Sequence, residues 1–104
     1  MERLEFQYPA GAPASGRIRV GVVASGDLEV LLEPAPAGCT SVSVTTSVDG
    51  HGSVWKAQLD RVFGSAAGPA VALEINDSGA TPGVVGMRIA QAFGALAAAP
   101  GATA

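Results

Sequence analysis

The sequence predicts an α+β domain: a mostly antiparallel sheet of four to five strands, with two helices packed on one face. Three observations carry that prediction. Apolar residues alternate with polar or small ones over several short segments in the first half of the chain, the signature of half-buried strands. After Asp49-Gly50-His51-Gly52 the period changes to that of a helix. A last helix has a well-marked start at Thr81-Pro82. The order of these signals is a β-β-β-α-β-α core, with a short N-terminal strand as the fifth.

Taken in order, Leu4, Phe6 and Tyr8 alternate with Glu5 and Gln7, which gives the short N-terminal strand. Pro9 to Gly16 is built of Pro, Ala, Gly and Ser and reads as a loop. Ile18, Val20 and Val22 then alternate with Arg17, Arg19 and Gly21, and Leu28, Val30 and Leu32 with Glu29, Leu31 and Glu33. The two runs flank Ala24-Ser25-Gly26-Asp27, and together they form the clearest hairpin in the chain. Gly26 can take the positive φ that tight turns demand, which puts Ser25 at or beside the tip. Pro34 to Gly38 is a second loop, and Val42, Val44, Thr46 and Val48 alternate with Ser41, Ser43, Thr45 and Ser47.

Trp55, Leu59, Val62 and Phe63 fall on one helix face, and Gly64 to Pro69 ends that helix. Val71, Leu73 and Ile75 make a further strand, closed by Asn76-Asp77-Ser78-Gly79. The last helix has Thr81 as N-cap and Pro82 in its first turn. Its core stripe is Val85, Ile89, Ala92, Phe93 and Leu96. The reading is one domain over residues 1–96 and a flexible C-terminal tail over 97–104.

Composition excludes several classes of function. The 104 residues suffice for one modest core. Charged residues are 14%, against about 25% in typical soluble domains. Either the surface is apolar and meets partner subunits, or 14 Gly and many Ala inflate the apolar count. A net charge of −3 argues against nucleic acid. No apolar run approaches the roughly 20 residues a spanning helix requires. Met1-Glu2-Arg3-Leu4-Glu5 is charged, unlike a secretion signal. Cys39 is alone, so an internal disulfide is excluded. The expected location is the cytoplasm, with no membrane and no nucleic-acid partner.

Little in the chain could carry independent catalysis. His51 is the only His and Cys39 the only Cys, so no zinc cluster can form. A Cys39–His51 nucleophile pair is conceivable, but His51 lies in a Gly-rich turn. Ser25 follows Val23-Ala24, not the Gly-x of a Gly-x-Ser-x-Gly elbow. Gly79-Ala80-Thr81-Pro82-Gly83 reads first as a loop shaped to start a helix, although helix N-termini also attract anions. Ser25-Gly26-Asp27 offers an unhindered hydroxyl at a convex point, which suits a serine that must accept a large phosphorylated group, although Ser-Gly turns are common and usually mean only a turn. Asp27, Glu29 and Glu33 could steer a basic partner toward it, or simply solvate a strand face.

The stretch Val23-Ala24-Ser25-Gly26-Asp27-Leu28-Glu29-Val30-Leu31-Leu32-Glu33-Pro34 resembles the carrier-serine segment of malonate decarboxylase acyl carrier (delta) subunits. Asp77-Ser78-Gly79-Ala80-Thr81-Pro82-Gly83-Val84-Val85 resembles a second segment of the same family. Leu4-Glu5-Phe6 and Thr45-Thr46-Ser47-Val48 are compatible, so the likeness spans roughly Met1 to Leu96. The citrate lyase gamma subunit is a looser relative with a similar Ser-Gly-Asp turn; Thr81-Pro82-Gly83 favours the malonate system. Ala24 stands where another Gly is half expected.

The resemblance implies that Ser25, flanked by Gly26 and Asp27, carries 2′-(5″-phosphoribosyl)-3′-dephospho-coenzyme A through a phosphodiester bond. It further implies a non-catalytic carrier whose acetyl and malonyl thioesters are handled by an acyl transferase subunit and by decarboxylase subunits. A separate prosthetic-group transferase would load the arm. The competing readings are a citrate lyase carrier, and a small interaction or scaffold domain whose Ser25 is never modified.

Overall fold

In the computed structural model, residues 1–64 and 68–98 are described. They form a five-stranded mixed sheet and two helices: β1 (Glu2–Pro9), β2 (Ile18–Gly21), β3 (Asp27–Pro34), β4 (Cys39–Thr46), α1 (Gly52–Phe63), β5 (Val71–Ser78) and α2 (Pro82–Ala98). The strand order is β1-β4-β5-β3-β2. All neighbours pair antiparallel except β4 and β5. That parallel pair follows from connectivity, because a helix between two neighbouring strands returns the chain in the same direction. The predicted α+β class and both helices are therefore observed, and the N-terminal strand is the fifth of the sheet.

Alternation decides which face meets the helices. Leu28, Val30 and Leu32 of β3, Val42 and Val44 of β4, and Val71, Leu73 and Ile75 of β5 are buried with Trp55, Leu59, Val85, Ile89, Ala92 and Leu96. Leu4, Phe6 and Tyr8 on one outer strand, and Ile18 and Val20 on the other, pack against the edges of that core. The Tyr8 hydroxyl donates to Asp60 Oδ1 at 2.8 Å and Lys56 Nζ pairs with Oδ2 at 2.7 Å, tying β1 to α1.

The structure differs from the sequence reading at five places. β2 stops at Gly21, where φ is 77°, so Val22 leaves the sheet and is exposed. β4 stops at Thr46, and Val48 and Ser47 lie beyond it. β5 continues through Asn76, Asp77 and Ser78, which the sequence marks as a turn, because β3 pairs with all three and β4 with Asn76 and Asp77 on the other side. Val62 is exposed although its spacing puts it near the core stripe. Phe63 takes the space at that end of α1, with its ring 5.4 Å from Tyr8 and 6.0 Å from Phe93. Helix α2 reaches Ala98, into the segment expected as tail; residues 99–104 lie outside those described, as do 65–67 of the expected Gly64–Pro69 connection.

Candidate functional site

The connection from β2 to β3 places Ser25 at the end of the sheet. The Asp27 N–H donates to the Ala24 carbonyl at 2.9 Å, which closes a β-turn over Ala24-Ser25-Gly26-Asp27. Gly26 occupies its third position with φ 78°, the value a type II turn requires and a side chain resists. A Cβ there would meet nothing within 4 Å, so the space beside Ser25 is open. Gly21, by contrast, is needed for room as well as for its φ: a Cβ would collide with the Leu28 carbonyl oxygen. Ser25 itself is exposed.

Two anchors fix this turn to the body of the domain. The Gly26 N–H donates to the Ser78 carbonyl at 2.7 Å, and Asp27 also bridges to Gly79. The segments Val23–Pro34 and Asp77–Val85, some fifty residues apart in the chain, are therefore joined edge to edge at one site. The second anchor is a bidentate ion pair. Arg88 of α2 donates through Nε to Asp27 Oδ1 at 3.1 Å and through an Nη to Oδ2 at 2.7 Å. Another of its nitrogens holds Gln91 at 2.9 Å, and the Leu28 N–H adds a bond to Asp27 Oδ1 at 2.7 Å.

The Arg88 hydrogen bonds, reinforced by the Leu28 N–H, hold the Asp27 carboxyl below the usual carboxylate range. The same pair holds the Arg88 guanidinium above its own. Because the folded-state value of Asp27 is lowered, the pair stabilises the fold at every pH above the ordinary carboxylate value of about 4. That stabilisation is lost as pH falls through the lowered value. An Asp27→Asn variant should thus be less stable than the parent near neutrality, and the difference should shrink below about pH 4. Urea unfolding of both proteins across that range measures it. A difference that persists in acid would mean that the substitution acts by distorting the turn.

Arg88 was missed by the sequence reading, and one signal was present. It is the only charged residue in a 17-residue helix of otherwise apolar, small or amide residues, so it needs a reason to be there. Its partner lies 61 positions away, beyond the reach of any local pattern.

The three acidic residues read as possible steering charges are all engaged within the chain. Asp27 is held by Arg88; Glu29 faces Arg19 at 3.7 Å and accepts from Asn76 at 3.1 Å; Glu33 meets Arg17 at 3.2 Å. Of the other serines weighed, Ser41 and Ser43 lie on the helix-free face of β4, and Ser47 follows its end. Cys39 begins β4 and His51 lies past its other end, separated by roughly 20 Å or more of extended strand, so they form no pair.

Next to the Ser25 turn, Asp77 shapes the second segment. Its buried carboxylate accepts from the Thr46 hydroxyl at 2.8 Å and from the Gly79 and Ala80 N–H groups at 3.3 and 3.0 Å. Thr81 Oγ1 accepts from the Val84 N–H at 3.3 Å, which is the helix cap expected of it. The first turns of α1 and α2 meet here around a cleft of about 300 Å³ lined by His51, Val54, Trp55, Thr81, Pro82 and Val85. Among the described residues no three His, Cys, Asp or Glu side chains gather to hold a metal, and no helix is long and apolar enough to cross a membrane.

Comparison with known proteins matches residues 15–96 to the family of the malonate decarboxylase delta subunit (MdcD). The chain is 58% identical over 93 residues to the malonate decarboxylase acyl carrier protein of Pseudomonas paraeruginosa, covering 89% of this chain and 94% of that protein. It is 53% identical over the same span to the protein of that name from Azotobacter vinelandii. Among solved structures, it resembles a chain in the crystal structure of a Pseudomonas malonate decarboxylase hetero-tetramer in complex with malonate. The TM-score is 0.90 at 50% identity, over 92% of this chain and 99% of that one.

Proposed function

This chain belongs to the malonate decarboxylase delta-subunit family, and we propose that it is the acyl carrier subunit of a bacterial malonate decarboxylase, loaded on Ser25. The observation that supports this most directly is the presentation of Ser25: an exposed hydroxyl on a turn whose flanks are fixed by Ser78 and Arg88. A loading transferase needs a nucleophile it can surround, and the open space at Gly26 leaves one side of the serine free. A fixed turn also presents the same geometry to each enzyme that visits, which lowers the ordering cost of each encounter.

The group we assign to Ser25 is 2′-(5″-phosphoribosyl)-3′-dephospho-coenzyme A, joined through a phosphodiester. The donor set suits it: a primary hydroxyl on a convex surface, with no bulky neighbour at Gly26. Once attached, the group supplies a terminal thiol, and a thioester carbonyl there can stabilise the carbanion left when carbon dioxide departs. The chain's own part is to tether and present. Ser25 forms the ester, Gly26 lets the chain turn without crowding it, and Asp27 with Arg88 holds the turn against α2. Tethering keeps one thioester at high effective concentration before two different active sites.

The catalytic work then belongs to partners: an acyl transferase subunit, decarboxylase subunits and a prosthetic-group transferase, acting in the cytoplasm. The intact mass of the chain purified from its native host, followed by peptide mapping, tests the assignment. The expected result is a mass increase equal to the arm, located on the peptide containing Ser25. An unmodified mass, or an arm on another serine, would overturn it and leave a scaffold domain as the better reading.

A further inference from the structure

Large apolar side chains that remain exposed are few among the described residues: Met1, Val22, Val23, Val54, Val62 and Met87. Their distribution is uneven. Leaving aside the terminal Met1, four of the remaining five lie at the end of the sheet that carries Ser25. Val22 and Val23 immediately precede the turn and are 56% and 61% exposed. Val54 stands in the first turn of α1, which starts at this end because β4 finishes here. Met87 stands in the second turn of α2, next to the Arg88 that grips the carrier turn. Only Val62 lies at the opposite end.

The carboxylates at the same end each have a hydrogen-bond or ion-pair partner within the chain. Asp27 is paired with Arg88, Asp49 with the terminal amine at 3.2 Å, Glu2 accepts from the Gly50 N–H at 3.1 Å, and Asp77 is buried. Five strands span about 19 Å from edge to edge, so this end fits within the roughly 800 Å² that one partner contributes to a stable interface.

We propose that Val22 and Val23 beside Ser25, with Val54 and Met87 at the same end of the sheet, form an apolar collar on that end, by which the chain docks onto an apolar active-site rim of the subunit that takes the thioester. This deepens the carrier reading and rests on it. A 50%-identical chain of the same fold occurs within a hetero-tetramer, so a partner surface is required. The end through which the arm must enter is the one where apolar side chains collect and where the carboxylates named above are each ion-paired or hydrogen-bonded within the chain. Docking driven by such a surface is insensitive to salt, unlike docking steered by carboxylates.

The experiment uses the full chain carrying Ser25→Ala, which reads the surface without any contribution from the arm. Its Kd for the purified remaining subunits of the complex is measured by calorimetry at low and high salt. Adding Val22→Ser and Val23→Ser should weaken binding by about tenfold or more, equally at both salt concentrations. Adding Val22→Ile and Val23→Ile should preserve it. Glu29→Lys with Glu33→Lys should leave it close to the parent value. A serine variant that binds like the parent, a parent with no measurable affinity, or a salt-dependent loss on reversing the glutamates would each overturn the collar. The intact-mass experiment decides separately whether Ser25 carries the arm, so the two ideas can fail independently.

Discussion

Ser25→Ala is expected to abolish malonate-dependent release of carbon dioxide by the assembled complex, while the chain unfolds in urea at the same midpoint as the parent. The loss should be complete because no second group can replace the phosphodiester. Ser41 and Ser43 stand on the helix-free face of a strand inside the sheet, without the projecting turn that presents Ser25. The fold should be indifferent because the Ser25 side chain makes no hydrogen bond among the described residues, and the turn is held by other groups. Gly26 N–H, Asp27 N–H and the Asp27–Arg88 pair are all retained in the variant. Exposed positions of this kind rarely cost more than about 0.5 kcal/mol. Residual turnover at a measurable fraction of the parent rate would show that the thioester is carried elsewhere. A large drop in stability would show instead that the hydroxyl has a structural role.

Much of this arrangement was legible in the sequence, for a local reason. Alternation of the type Leu28-Glu29-Val30-Leu31-Leu32-Glu33 is read over a few residues and directly names the buried face, which is the face observed. Ser25-Gly26-Asp27 was readable because a turn is also local, and Gly26 does take the positive φ it was expected to supply. What the sequence hid is non-local. Asn76-Asp77-Ser78 has turn composition, yet pairing of all three with β3, and of Asn76 and Asp77 with β4, keeps it extended. Helical spacing put Val62 on the core side without knowing that Phe63, Tyr8 and Phe93 would fill that corner. The charge of Asp27 suggested a steering group until the fold brought Arg88 to it from α2.

The same non-local logic explains why α1 should be the most vulnerable element. Its N-cap, His51, makes no side-chain capping bond, and its first turn carries no acidic residue. The helix therefore lacks two of the local devices that hold helix starts in place. It is retained by its packing, and only Trp55 and Leu59 on it are buried. Trp55→Ala should cost about 3–5 kcal/mol, a large share of the roughly 5–15 kcal/mol available to a domain of this size. The ring also walls the cleft between the two helix starts, so its removal enlarges a space that Val85 and Pro82 cannot close by moving alone. Urea unfolding at constant slope gives the loss directly. The Ser25 turn is anchored instead to β5 and α2. Trp55→Ala should therefore still accept the arm on Ser25 under conditions that keep the chain folded, while unfolding at a much lower urea concentration. An unchanged midpoint would mean that the ring is not part of the core. A folded variant that can no longer be loaded would mean that α1, and not only α2, positions the carrier serine.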